Sequence, residues 1–213
     1  MFKPSMKQVT YKVIKTLKEV EQFLPTIPNK AAYDFETANK LTIEEINKRK
    51  ELLTKVTNKR TIVRLKQEIE ADGLSHPSLT TITHMSIAWD SYDATVIIML
   101  DKEVRDTVLE YLVTTENLQV WHRSLFDFRH IMYHTGKIPK NYEDTQLMAK
   151  VLLNDVDSFK SLTSIKKLEA KRYGKWAEAK EAEFTIENAF NEDMLLYCAT
   201  DACATWSLYL DTF

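Results

Sequence analysis

Two hydrophobic periods alternate along the chain. Short apolar runs of strand character stand at 9–14 (VTYKVI), 31–37 (AAYDFET), 83–90 (THMSIAWD), 94–100 (ATVIIML) and 118–121 (LQVW). Residues 90–93 separate the third and fourth, which predicts a hairpin. Between these runs the apolar positions recur at helical spacing. Thr16 with Glu19 forms a capping box that opens a first helix, and Pro25 and Pro28 end it. The stretch 41–72 starts at a second box, Thr42 with Glu45, and spaces Ile43, Ile46, Leu53 and Val56, then Ile62, Leu65 and Ile69, as two helices meeting near the weak helix formers 56–58. Further helices are expected at about 102–115, at 124–134 closed by Gly136, at 144–153, at 162–173 closed by Gly174, and at 186–211. Met194, Leu195, Cys198, Ala202, Trp206 and Leu208 are the expected core positions of the last. Strands interleaved with helices predict an α/β sheet covered by helices.

Composition narrows this picture. The 213 residues suit a single domain, 1–213, with 41–75 as a helical insertion in it. Three glycines and five prolines leave little material for tight hairpins, which disfavours an all-β sandwich. Two cysteines make neither a disulfide framework nor a four-thiolate zinc site. Cys198 and Cys203 are read as small buried residues. No apolar run approaches the roughly 18 residues needed to span a bilayer, and no secretory signal is visible, so the expectation is a cytoplasmic protein with no membrane partner. The formal charge is −2, yet Lys48 to Lys66 carries eight basic residues against one acid, a local +7. That stretch is read as a solvated face, a nucleic-acid contact or a docking surface.

Carboxylates stand where apolar runs would exclude them. Asp34 and Glu36 interrupt 31–37 and, two apart on a strand, point to one face. Asp127 lies between Phe126 and Phe128, and Asp201 lies in LLYCATDACATW with Tyr197 one helical turn earlier. Several carboxylates brought together need a compensating cation, and hard oxygen donors suit Mg²⁺ or Mn²⁺. Asp101 and Glu103 repeat the Asp-x-Glu spacing but open a helix, as an N-cap and a first-turn acid. Asp144 is expected to cap a helix or to sit behind the site, and His84, His130 and His134 to be structural or solvent-facing.

Together these motifs resemble the DEDD superfamily of 3′→5′ exonucleases. YDFET matches the first motif (Asp34, Glu36), WHRSLFDFRHIMYHTG the second (Asp127) and YCATDACATWSLY the third (Tyr197, Asp201). The run YEDTQLMAKVLLN with SLTSIKKLEAKRYG resembles the segment between the second and third motifs. The resemblance covers about 9–213 apart from the insertion and is greatest to the proofreading domain of family A DNA polymerases. The branch with His five residues before the last Asp is disfavoured, because Leu196 stands there; Tyr197 implies the tyrosine branch. Where the second motif usually carries Asn, four residues before its Asp, this chain has Arg123.

The resemblance implies a ribonuclease H-like mixed β-sheet flanked by α-helices. It implies two divalent cations, Mg²⁺ or Mn²⁺, held by Asp34, Glu36, Asp127 and Asp201, and a water oriented by Tyr197. Nucleoside 5′-monophosphates would leave single-stranded or frayed DNA 3′ ends, with proofreading for a polymerase on a separate chain. Thr37, Leu41, His122, Arg123 and Phe126 are candidate contacts to the terminal nucleotides. Lys166 and Arg172, in a cluster with Lys167, Lys171 and Lys175, are candidates for backbone phosphates. Two alternatives stand beside it: ribonuclease D-like trimming of RNA 3′ ends, and a non-catalytic module that binds nucleic acid or a polymerase.

Overall fold

The computed structural model describes residues 9–71, 76–153 and 185–212. The elements run β1 (Thr10–Ile14), α1 (Leu17–Phe23), a 3-10 turn (Leu24–Thr26), β2 (Lys30–Asn39), α2 (Ile43–Leu53), α3 (Lys59–Ile69), β3 (Thr80–Ala88), β4 (Asp93–Ile98), α4 (Lys102–Thr114), β5 (Leu118–Trp121), α5 (Leu125–Thr135), β6 (Tyr142–Asp144), α6 (Thr145–Leu153) and a last helix, here α7 (Glu192–Thr212). The strands form one six-stranded sheet in the order β1-β4-β3-β2-β5-β6. The β2–β3 and β3–β4 pairs are antiparallel; β1–β4, β2–β5 and β5–β6 are parallel. The sheet is therefore mixed and flanked by helices, as expected.

Local signals set most boundaries. Thr16 Oγ1 accepts the Glu19 N–H at 3.3 Å, and Glu19 Oε2 accepts the Thr16 N–H at 3.0 Å, closing the first capping box. Thr42 and Glu45 repeat it. Asp101 caps α4, and Gly136 ends α5 at φ +69, a conformation that favours glycine. Three expectations change. The last helix opens at Glu192, six residues later than expected, because Asn191 accepts the Asp193 N–H at 2.8 Å and serves as its cap. Strand β2 continues to Asn39, and β6 is a strand the sequence pattern did not announce. The helix expected at 162–173 lies outside the described residues.

The sheet separates two apolar layers. On one side Tyr33 and Phe35 of β2 pack with Trp121, α1, α4 and α5. The Trp121 indole is fully buried, with ring centroids 5.4 Å from Tyr33, 5.5 Å from Phe35 and 5.7 Å from Phe128. On the other side α7 lies across the sheet, burying Leu195, Cys198, Ala199, Ala202 and Cys203 against Ala88, Ala94, Val96 and Ile98. Strand alternation then turns Asp34 and Glu36 away from the aromatic layer and toward α7. No helix among the described residues is long and apolar enough to cross a membrane.

Candidate metal centre and its surroundings

Strand β2 and helix α7 bring three carboxylates together. Oxygens of Asp34, Glu36 and Asp201 all lie within 4.8 Å of one another. Asp34 and Glu36 are half-buried and Asp201 is buried. Like charges at that separation repel by about 3–4 kcal/mol per pair at an effective dielectric near 20. Such a donor set, all hard oxygen and drawn from two rigid elements, fits a divalent cation of the Mg²⁺ or Mn²⁺ kind.

Tyr197 stands inside the same field. Burial pushes its phenol far above the ordinary tyrosine range, and the charges of Asp201, Glu36 and Asp34 push it further; its hydroxyl donates to Asp201. It is therefore a proton donor here, not a base. Burial and the same three acids also keep the Cys198 thiol protonated.

Asp127 acts from the other layer. β5 pairs with β2 only over Lys30–Ala32, so farther along β2 that edge has no strand beside it. Asp127 Oδ1 takes the Phe35 N–H there at 3.1 Å. Its carboxyl is 1% exposed, and burial raises its pKa well above the carboxylate range; the hydrogen bonds from Phe35 and its own N–H oppose that, and the charge of Asp144 adds to it. The structure thus brings Asp34, Glu36, Asp201 and Tyr197 together and fixes Asp127 on the backbone between the first two.

The other candidates fall in three positions. Thr37 follows a register shift in β2 after Glu36, and its buried hydroxyl finds no hydrogen-bond partner among the described residues. Leu41 is half-buried just beyond β2, its N–H on Asn39 Oδ1 at 2.8 Å. His122 holds Thr145 Oγ1 at 2.9 Å; burial lowers its pKa to about 4, the charge of Arg123 also lowers it, and Asp144 pulls the other way. Arg123 is exposed at φ +60. Phe126 packs against His130 at 5.4 Å between ring centroids. Lys166 and Arg172, with Lys167, Lys171 and Lys175, lie outside the described residues.

Two residues outside the carboxylate cluster support the site, His84 and, in a role its sequence position predicts, Asp144. His84 pairs with Glu36 across β2–β3, and its Nε2–H donates to the Ala189 carbonyl at 2.7 Å, tying the central sheet to the turn that leads into α7. Burial holds that imidazole neutral, lowering its pKa. Asp144 accepts five hydrogen bonds: Ser124 N–H and Oγ–H at 2.8 Å each, Arg123 N–H at 3.3 Å, Gln146 N–H at 2.8 Å and Leu147 N–H at 3.2 Å. It caps α6, as expected, and also anchors the start of α5.

No family model matches the sequence, and no curated protein matches it. Solved structures do match the fold. Brucella melitensis NrnC with bound Mg²⁺ is 13% identical, with 96% of this chain and 80% of that chain covered and a TM-score of 0.55. The same protein has also been seen bound to pGG. Escherichia coli RNase D, an exoribonuclease involved in structured RNA processing, is 14% identical over 96% of this chain and 45% of its own, at a TM-score of 0.59. Trypanosoma brucei RNase D in complex with RNA U12 is 12% identical over 97% of this chain and 63% of its own, at 0.61. At such identities the likeness establishes a shared fold, ribonuclease H-like, and no more.

Proposed function

We propose that this chain is a metal-dependent 3′→5′ exonuclease that releases nucleoside 5′-monophosphates from polynucleotide ends. The observation that carries the reading is the meeting of Asp34, Glu36 and Asp201 within 4.8 Å, from elements far apart in sequence, with Tyr197 on Asp201. The fold shared with NrnC and the two RNases D supports it.

Asp34, Glu36 and Asp201 would hold the divalent cations, two in this reading, with Asp127 beside them. When bound, such cations acidify a water and stabilise the leaving 3′ oxygen. The protein's own part is positional. The Tyr197 hydroxyl, which donates to Asp201, can accept a hydrogen bond from the attacking water and so orient it. Asp127 holds the Phe35 N–H and so fixes the spacing between Asp34 and Glu36. Thr37 and Leu41, next along the chain, are placed to touch the last nucleotides, and Arg123 offers an exposed cation.

The polymer has two readings. Motif resemblance points to frayed DNA 3′ ends and to proofreading beside a polymerase. The solved structures named for RNA, the two RNases D, favour RNA 3′ ends instead. One assay tests both: 5′-labelled single strands of DNA and RNA, matched in sequence, incubated with Mg²⁺ or Mn²⁺. The expected result is stepwise shortening from the 3′ end, faster on the natural polymer, and slower by at least about 100-fold in Asp34→Asn and Asp201→Asn. No shortening, or equal rates in Asp34→Asn, rejects the enzyme reading and leaves the binding module.

A further inference from the structure

We infer that the outward face of α3 is a landing surface for the phosphate backbone of a single-stranded polynucleotide, on the 5′ side of the end held at the carboxylates. The inference rests on the exonuclease reading and adds a second substrate contact to it.

The helical insertion stands off the body of the fold. α2 has no buried residue, and α3 has one, Leu65. At about 100° per residue, Ile62, Leu65 and Ile69 fall on one side of α3. Arg60, Val63, Arg64 and Gln67 fall on the opposite side, Lys59 and Lys66 lie along its edge, and all six are exposed. These positions carry four cations; of the acids beside them, Glu68 is half-buried and held by Arg49, and Glu70 stands in the C-cap at the far end. Arg64 alone among the four makes an ion pair within the described residues, at 3.5 Å to Glu68, which Arg49 already holds at 2.8 Å. Lys59 and Arg60 occupy the first turn, where Asn58 caps the backbone. Cations there oppose the helix dipole and cost stability, a placement that an approaching anion reverses.

Charge complementarity selects the occupant. Residues 48–66 carry +7 in a chain of −2, so all the remaining residues together carry −9. A polyanion is repelled by the molecule at large and drawn to this face. Val63 is the single apolar residue on it, too little for the apolar centre a protein partner uses. Lys59 and Lys66 lie about 10 Å apart along the helix axis, room for more than one phosphate. The insertion is also tied to both carboxylate-bearing elements. Asn39 at the end of β2 donates from Nδ2 to the Glu68 carbonyl at 2.7 Å, and the Ile43 N–H reaches Glu187 Oε1, in the turn before α7, at 3.4 Å.

The test uses the full chain with the substitutions K59Q/R60Q/R64Q/K66Q. Binding of a 5′-fluorescein 20-mer single-stranded RNA is followed by anisotropy in EDTA between 50 and 200 mM NaCl, on the order of the range where phosphate contacts are read. Turnover of a 5′-phosphorylated dinucleotide is followed separately with Mn²⁺. The expected outcome is at least about tenfold weaker 20-mer binding and a salt slope smaller by about 2–3, since each single-strand phosphate contact contributes roughly 0.7. Dinucleotide turnover is unchanged, because a substrate of two nucleotides has no further 5′ chain to lay on α3. The double variant K59R/K66R keeps the wild-type slope. Unchanged 20-mer binding in the quadruple variant, or an equal loss on the dinucleotide, overturns the inference. If the wild type shortens neither the dinucleotide nor the 20-mer with Mn²⁺, the exonuclease reading fails while the anisotropy arm still decides the face.

Discussion

Arg123 adopts the left-handed backbone region at φ +60, the one non-glycine residue among those described to do so. A side chain with a Cβ is disfavoured there by about 1–2 kcal/mol, and Asn is among the few residues that visit it readily. The family resembled by the second motif usually has Asn at this position, and the backbone supplies a reason: the residue turns the chain from β5 into α5, with its N–H on Asp144. Arg123→Asn is therefore expected to stabilise the protein by about 0.5–1 kcal/mol, a rise in Tm of about 1–4 °C for a chain of this size. Thermal unfolding followed by circular dichroism reads it. An unchanged or lower Tm shows that the guanidinium makes a compensating contact. Residues whose signal is local in this way were legible in the sequence. Thr16 with Glu19, Thr42 with Glu45, Asp101 and Gly136 are each recognised by neighbours within four positions, and each does in the structure what its spacing predicts.

Elements defined by distant partners were less legible. β6 is three residues, Tyr142–Asp144, with no apolar alternation; it exists because Gln119–Trp121 of β5 offers it a parallel edge. The opening of α7 was displaced because 186–191 shares the composition of a helix start, and the structure resolves the ambiguity with the Asn191 cap and the Ala189 carbonyl on His84. Asp144 shows how such an element serves the site. Its five hydrogen bonds join the end of β6 to the first residues of α5 and α6, and α5 carries Asp127 to the Phe35 N–H. Removing a buried charged acceptor leaves donors without a partner, at about 1.5–3 kcal/mol for a bond to a charged group. Asp144→Ala is expected to lose about 3 kcal/mol or more in urea unfolding and to lower activity through misplacement of Asp127. Asp144→Asn, which keeps one acceptor oxygen, should recover part of both. Full stability in Asp144→Ala would mean that α5 is held by its apolar packing alone.

At the scale of the whole molecule, the sheet holds three negative charges together that would separate if the chain allowed it. Asp34 and Glu36 share a face because β2 is extended, which spacing alone predicts. Asp201 joins them because α7 packs across the sheet on Ala88, Ala94 and Val96, and periodicity in the sequence says nothing of that crossing. Folding therefore works against charge repulsion of about 3–4 kcal/mol per pair, which a bound cation would offset. In EDTA, Asp201→Asn, with one charge fewer and its shape kept, should be at least as stable as the wild type. Mn²⁺ or Mg²⁺ at about 100 times its dissociation constant should stabilise the wild type by about 2.7 kcal/mol, raising Tm by about 5–10 °C. The same addition should move Asp201→Asn far less, so the order of stability inverts with the metal. Scanning calorimetry of both proteins, with and without the cation, reads all four values. Equal melting of the wild type in EDTA and in Mn²⁺ would mean that the three carboxylates meet without holding a cation, and the chemistry proposed for them would fall with it.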